Sequence, residues 1–174
     1  MRPITILAAG ALGLAAATAT ADIVEYNFFM SGDQQVPPND SDATGAGRIV
    51  FDTDTNLFSI DVMLFGITLD DLLDVGPNST PIHIHNAPAG SNGPVVVDLG
   101  FMSSFQDDGL GIRIQVTDQL FGGVQGGVTS DPEANELALL AGELYVNVHT
   151  NDYAGGELRG QLLPARRASS LASG

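Results

Sequence analysis

Every histidine of the 174-residue chain falls in one of two short segments, Pro81-Ile-His-Ile-His85 and Tyr145-Val-Asn-Val-His149. In an extended strand successive side chains point to opposite faces, so His83 and His85 project together while Ile82 and Ile84 face the other way. The same count puts Tyr145, Asn147 and His149 on one face, opposite Val146 and Val148. It also groups Glu157, Arg159 and Gln161 opposite Leu158, Gly160 and Leu162. Imidazole suits copper, zinc and nickel, and two histidines at i, i+2 plus a third from elsewhere supply three nitrogens and an open position. His83, His85 and His149 are therefore the candidate metal ligands, with one copper or zinc ion as the candidate cofactor. A structural reading competes: His83 and His85 hydrogen-bond the loop that follows them, and His149 does the same for its own loop. The chain has no cysteine, which excludes disulfides, thiolate zinc sites, iron–sulfur clusters and cysteine nucleophiles.

The elements that must position these residues read as short strands separated by turn residues. Glu25–Phe29, Arg48–Asp52, Leu57–Phe65, Pro81–His85, Pro94–Leu99, Gly111–Thr117, Glu143–His149 and Glu157–Leu163 are the eight candidates. The clearest is Leu57–Phe65, where Phe58, Ile60, Val62 and Leu64 alternate with Ser59, Asp61, Met63 and Phe65. Ser130-Asp-Pro-Glu133 has the form of a capping box and Gly142 can end the helix it opens, so one short helix is expected near 130–142. Eight or so antiparallel strands without alternating helices mean an all-β fold, an antiparallel sandwich or Greek-key barrel. If the apolar faces make its core, the three histidines and Arg159 lie outside it, beneath the loops Asn86–Gly93 and Thr150–Gly156.

Residues 1–21 carry one early arginine, an apolar run from Ile4 to Ala17, and Ala19 and Ala21 in the arrangement signal peptidase reads. Cleavage after Ala21 is expected, giving a secreted or periplasmic protein with a folded domain over 22–165 and a frayed tail over 166–174. No segment approaches the roughly 20 apolar residues of a membrane span. The formal charge is −15, with no lysine. That field repels phosphate backbones and anionic lipid, which argues against nucleic-acid partners and favours cations, although solubility alone also accounts for it.

Four stretches together resemble the chordin-type CHRD domain family: Phe29-Met-Ser-Gly-Asp-Gln-Gln-Val-Pro-Pro38; Ala43-Thr-Gly-Ala-Gly47; His83-Ile-His-Asn-Ala-Pro-Ala-Gly-Ser-Asn-Gly-Pro-Val-Val-Val-Asp-Leu99; and Ala141-Gly-Glu-Leu-Tyr-Val-Asn-Val-His-Thr150 running into Gly155-Gly-Glu-Leu-Arg-Gly-Gln-Leu162. The resemblance implies an extracellular β domain and no settled catalysis. A weaker resemblance, to the Greek-key copper/zinc superoxide dismutases, implies copper ligation by His83, His85 and His149. It also implies anion binding by Arg159, a residue that can equally pair with Glu157 or another carboxylate across a strand. The chain lacks that family's bridging histidine, zinc-loop cluster and disulfide cysteines, which weighs against a zinc site and against dismutase activity more than against metal binding.

The leading expectation is an exported binding or structural module whose partner is an extracellular protein or small ligand. The alternative is a copper-binding protein or dismutase-like oxidoreductase. A third reading, adhesion through calcium-bridged acidic loops, requires carboxylates converging in threes. Asp52-Thr-Asp-Thr-Asn56 starts like a calcium loop but reads better as a hairpin turn. Asn39 and Asn78 head glycosylation triplets, and Phe121–Gly127 reads as a flexible glycine-rich loop.

Overall fold

The computed structural model describes residues 22–73, 80–103 and 105–164. The expected leader, the Asn78 acceptor and the tail over 166–174 lie outside these residues. In chain order the elements are β1 (Ile23–Ser31), β2 (Thr44–Asp52), β3 (Leu57–Phe65), β4 (Ile82–Asn86), β5 (Val95–Asp98), α1 (Leu99–Met102), β6 (Phe105–Asp107), β7 (Ile112–Leu120), β8 (Gly123–Gln125), β9 (Val128–Ser130), α2 (Pro132–Ala141), β10 (Leu144–Val148) and β11 (Leu158–Gln161). Nine strands form one curled antiparallel sheet in the order β5-β4-β10-β11-β1-β2-β3-β7-β6. The chain crosses from one half of the sheet to the other between β3 and β4, again between β5 and β6, and a third time between β7 and β10, joining antiparallel strands in Greek-key fashion. The expected all-β class is the observed one.

Alternation along β3 buries Phe58, Ile60, Val62 and Leu64, and their neighbours stay partly or fully exposed. Ile49 and Phe51 of β2, Ile82 and Ile84 of β4, and Val146 and Val148 of β10 join the same core. Each such aliphatic or aromatic side chain contributes about 1.5–3 kcal/mol when fully buried. Gly160 of β11 faces this core where a Cβ would come within 2.7 Å of Met30 Cγ and 2.9 Å of Phe28 Cδ2, so only glycine fits there.

Four expectations about the elements need correction. There are eleven strands among the described residues, because β6, β8 and β9 are three residues each, too short for a periodic pattern to register. The Phe121–Gly127 segment is accordingly no flexible loop. Phe121 is buried against Phe51 and Phe58, and β8 and β9 pair as a hairpin that turns at Gly126 with φ 58°. The expected helix is α2, but its N-cap is Asp131, which accepts from the Glu133 amide, and not Ser130. Ser130 instead donates to the Val96 carbonyl and accepts from Asn135. A second helix, α1, is a single turn capped by Asp98.

Asp52–Asn56 does form the β2–β3 hairpin turn, with Asn56 at φ 56° and the Asp52 carboxylate holding the Asp54 amide. Asn39 is partly buried and donates to the Gly156 and Glu157 carbonyls, so its side chain is engaged in tying loops together. No helix of the described residues is long and apolar enough to cross a membrane.

Candidate functional site

The sheet is half-covered outside its core. On β4, β10 and β11 both faces are buried apart from Asn86: the apolar one in the core, the polar one under loops. Register explains which polar residues meet. Across β4, β10 and β11 run the rows His85–Tyr145–Gln161 and His83–Asn147–Arg159. His149 continues the ladder one step beyond β10, its backbone amide donating to the Pro81 carbonyl at 2.8 Å. Two segments some sixty residues apart in sequence thus bring all three histidines onto one polar face.

The ring centroids lie 5.7 Å apart for His83 and His85, 5.4 Å for His83 and His149, and 6.1 Å for His85 and His149. One nitrogen from each ring lies within 4.8 Å of the other two. A point no more than about 2.8 Å from all three exists for any such triangle, less than 1 Å beyond the ~2.0–2.1 Å of a zinc–imidazole bond. Among the described residues this is the one convergence of three potential ligands; no three carboxylates converge as calcium bridging would require.

Hydrogen bonds assign the ring nitrogens. A carbonyl only accepts, so His85 Nδ1 carries its proton toward the Gly93 oxygen at 3.0 Å and His149 Nδ1 toward the Ala154 oxygen at 3.0 Å. Both rings are thereby left with a bare Nε2. That of His149 accepts from the Asn147 amide at 3.2 Å, and Asn147 Oδ1 accepts in turn from Gln35 at 2.6 Å. His85 Nε2 and His83 Nδ1 are buried with no partner.

An orphaned buried polar atom costs about 1–3 kcal/mol, and two in one cluster call for an occupant. Burial lowers the basicity of all three rings. His83 is pushed down to about 4, with the carboxylate of Asp98 opposing that shift and His149 and His85 reinforcing it. Neutral imidazole is the state that binds a metal.

The loops anticipated as covers are the ones present: Asn86–Gly93 holds His85, and Thr150–Gly156 holds His149. Arg159 sits 1% exposed on the same face. Its expected pairing with a carboxylate is not what forms. It donates to the Ser91 carbonyl at 2.7 Å, the Pro88 carbonyl at 3.1 Å and Gln161 Oε1 at 2.8 Å, and its Cζ lies 3.6 Å from the centroid of the Tyr145 ring.

The carboxylate pairs belong to the exposed arginines, Arg48 with Glu25 and Arg113 with Asp61. Glu157 instead accepts from Ser41 and Thr150, both at 2.5 Å. The anion-binding role implied for Arg159 thus meets a guanidinium with three of its five donors already engaged. It also borders a cavity of about 380 Å³, which it shares with Asp33, Gln34 and Gln35.

Sequence reasoning missed Asp98, which lies opposite His83 in the β4–β5 ladder, and Gln35. Neither carries a local signal, since one is placed by register and the other by the loop that follows β1, two strands away from β10. A groove of about 470 Å³ lies on the outer face of β1, β2, β3 and β7 and includes no residue of the cluster. Volume is a poor guide here, and the orphaned nitrogens are the better one.

Comparison with known proteins gives one family: the model of the CHRD domain matches residues 26–162. No curated protein and no solved structure matches the chain.

Proposed function

The chain belongs to the CHRD domain family, and from that premise we propose that it is an exported binding module whose ligand at the β4–β10 face is a single transition-metal ion, copper(II) in the first instance. The observation that carries this reading is the pair of buried, unpartnered imidazole nitrogens, His83 Nδ1 and His85 Nε2, in a cluster of three neutral rings. An all-nitrogen site without thiolate suits copper or zinc, and the order of divalent affinities places copper(II) highest. The net charge of −15 raises the local concentration of cations around such a site. Copper held there supplies one-electron redox chemistry. The chain's own part is to keep three imidazoles uncharged, aim the unpartnered nitrogens of His83 and His85 together with His149 Nε2, which exchanges its bond from Asn147 for the metal, and shield His83 and His85 from water. Binding, and not catalysis, is the function proposed, because Arg159 is engaged by the loop and Tyr145.

The test is a titration of the metal-free protein with copper(II) and with zinc(II), followed by metal analysis after desalting. Wild type is expected to retain one copper per chain, with zinc held more weakly, and His83→Ala and His149→Ala to retain none. Folding stability should rise by about 2.7 kcal/mol when free copper stands at 100 times the dissociation constant. Equal retention by all three proteins removes the reading.

A further inference from the structure

Tyr145 is 2% exposed and lies flat against His85, with ring centroids 5.0 Å apart and planes inclined by 14°. One residue holds both rings. The Gly93 amide donates to the Tyr145 hydroxyl at 3.2 Å, while the Gly93 carbonyl accepts the His85 Nδ1 proton at 3.0 Å. Arg159 packs on the same tyrosine and fastens the loop at Pro88 and Ser91, and Gln161 fastens it again at the Ala87 carbonyl, 3.1 Å away.

A histidine ring can turn about its second side-chain torsion and exchange its two tautomers. Here a half-turn breaks the bond to Gly93, and any tilt meets the face of Tyr145. The loop, the phenol and the guanidinium therefore act on one variable, the direction in which His85 Nε2 points.

We propose that Tyr145, backed by Arg159, is a positioning residue for His85: it fixes the imidazole plane and the Nδ1–H tautomer so that the bare Nε2 faces His83 and His149. The inference rests on the metal reading above for its purpose but not for its geometry. It moves Arg159 from ligand contact to the layer that orients a ligand. Partners of this outer kind change metal affinity by 10–100-fold when lost.

The experiment uses metal-free protein labelled with ¹⁵N in histidine, its long-range ¹H–¹⁵N spectrum, and a copper titration of the same samples. Wild type is expected to show His85 as a single tautomer protonated at Nδ1. Tyr145→Phe, which keeps the stacked ring and drops the hydroxyl, should keep that tautomer and stay within about threefold of wild-type copper affinity, whereas Tyr145→Leu should give a tautomer mixture and bind copper about 10–100-fold more weakly. Should Tyr145→Leu fail to fold, Arg159→Met carries the test with the same signs, the loss being at least about tenfold. A single His85 tautomer with wild-type affinity in the Leu or Met variant overturns the proposal. If wild type binds no copper yet the tautomer responds as described, the positioning stands and the metal reading falls.

Discussion

The His149 amide donates to the Pro81 carbonyl at 2.8 Å, two residues before His83 on the neighbouring strand. This one ladder step past the end of β10 decides that the third imidazole joins the other two. The His149 ring is held only at the rim, by the Ala154 carbonyl and Asn147. His149→Ala should therefore abolish copper retention and, because it leaves the buried Asn147 amide without its partner, lower stability by about 1–3 kcal/mol in urea unfolding.

His83 separates a ligand from a structural histidine by sign. If it served only the fold, its removal would destabilise the metal-free protein. With Nδ1 orphaned and buried, an apolar side chain of similar size relieves a penalty. His83→Leu is expected to leave metal-free stability unchanged or raised by about 1 kcal/mol, and to lose copper. Thermal melts with and without the metal check both halves.

Acid should unfold the metal-free protein through this cluster. In the unfolded chain the three imidazoles take up protons near the ordinary value of 6.5, whereas burial holds all three lower in the fold and His83 to about 4. Below 6.5 the unfolded state binds more protons, so the contribution is complete above that pH and is lost as pH falls toward 4. Urea midpoints of wild type measured between pH 7.5 and pH 4 should fall more steeply than those of His83→Leu. Parallel curves would assign the acid sensitivity to groups other than His83.

Glu157 anchors the cover over His149. Its two oxygens accept from Ser41 and Thr150 while its backbone amide donates to Val148, and it is 7% exposed. Glu157→Leu strands two hydroxyls and should cost about 2–4 kcal/mol by denaturant titration, with Glu157→Gln recovering part of it. A loss under 1 kcal/mol would mean that the loop is held elsewhere.

Gly93 is needed for approach, not for an unusual backbone angle. A Cβ there would stand 1.8 Å from the Asn86 carbonyl oxygen and 2.9 Å from the Ala87 Cβ. Gly93→Ala must push the loop off His85 and Tyr145, with an overpacking cost of about 1–3 kcal/mol. Copper affinity should drop along with stability; a drop in stability alone would uncouple the loop from the ligand.

Alternation with period two was enough to place His83 with His85, and Tyr145 and Asn147 with His149, because side-chain direction along a strand is a local property of the backbone. The apolar faces, eight of the eleven strands and the two covering loops were legible for the same reason. Which strands lie side by side, and in what register, is a non-local matter decided by how all the apolar faces close over one core. Only the tertiary structure could put β10 beside β4 with Asn147 opposite His83, bring Asp98 to His83, and deliver Gln35 to Asn147. It alone decided that Arg159 meets loop carbonyls and an aromatic face, since a guanidinium accepts either partner and its sequence neighbours do not say which one will be buried with it.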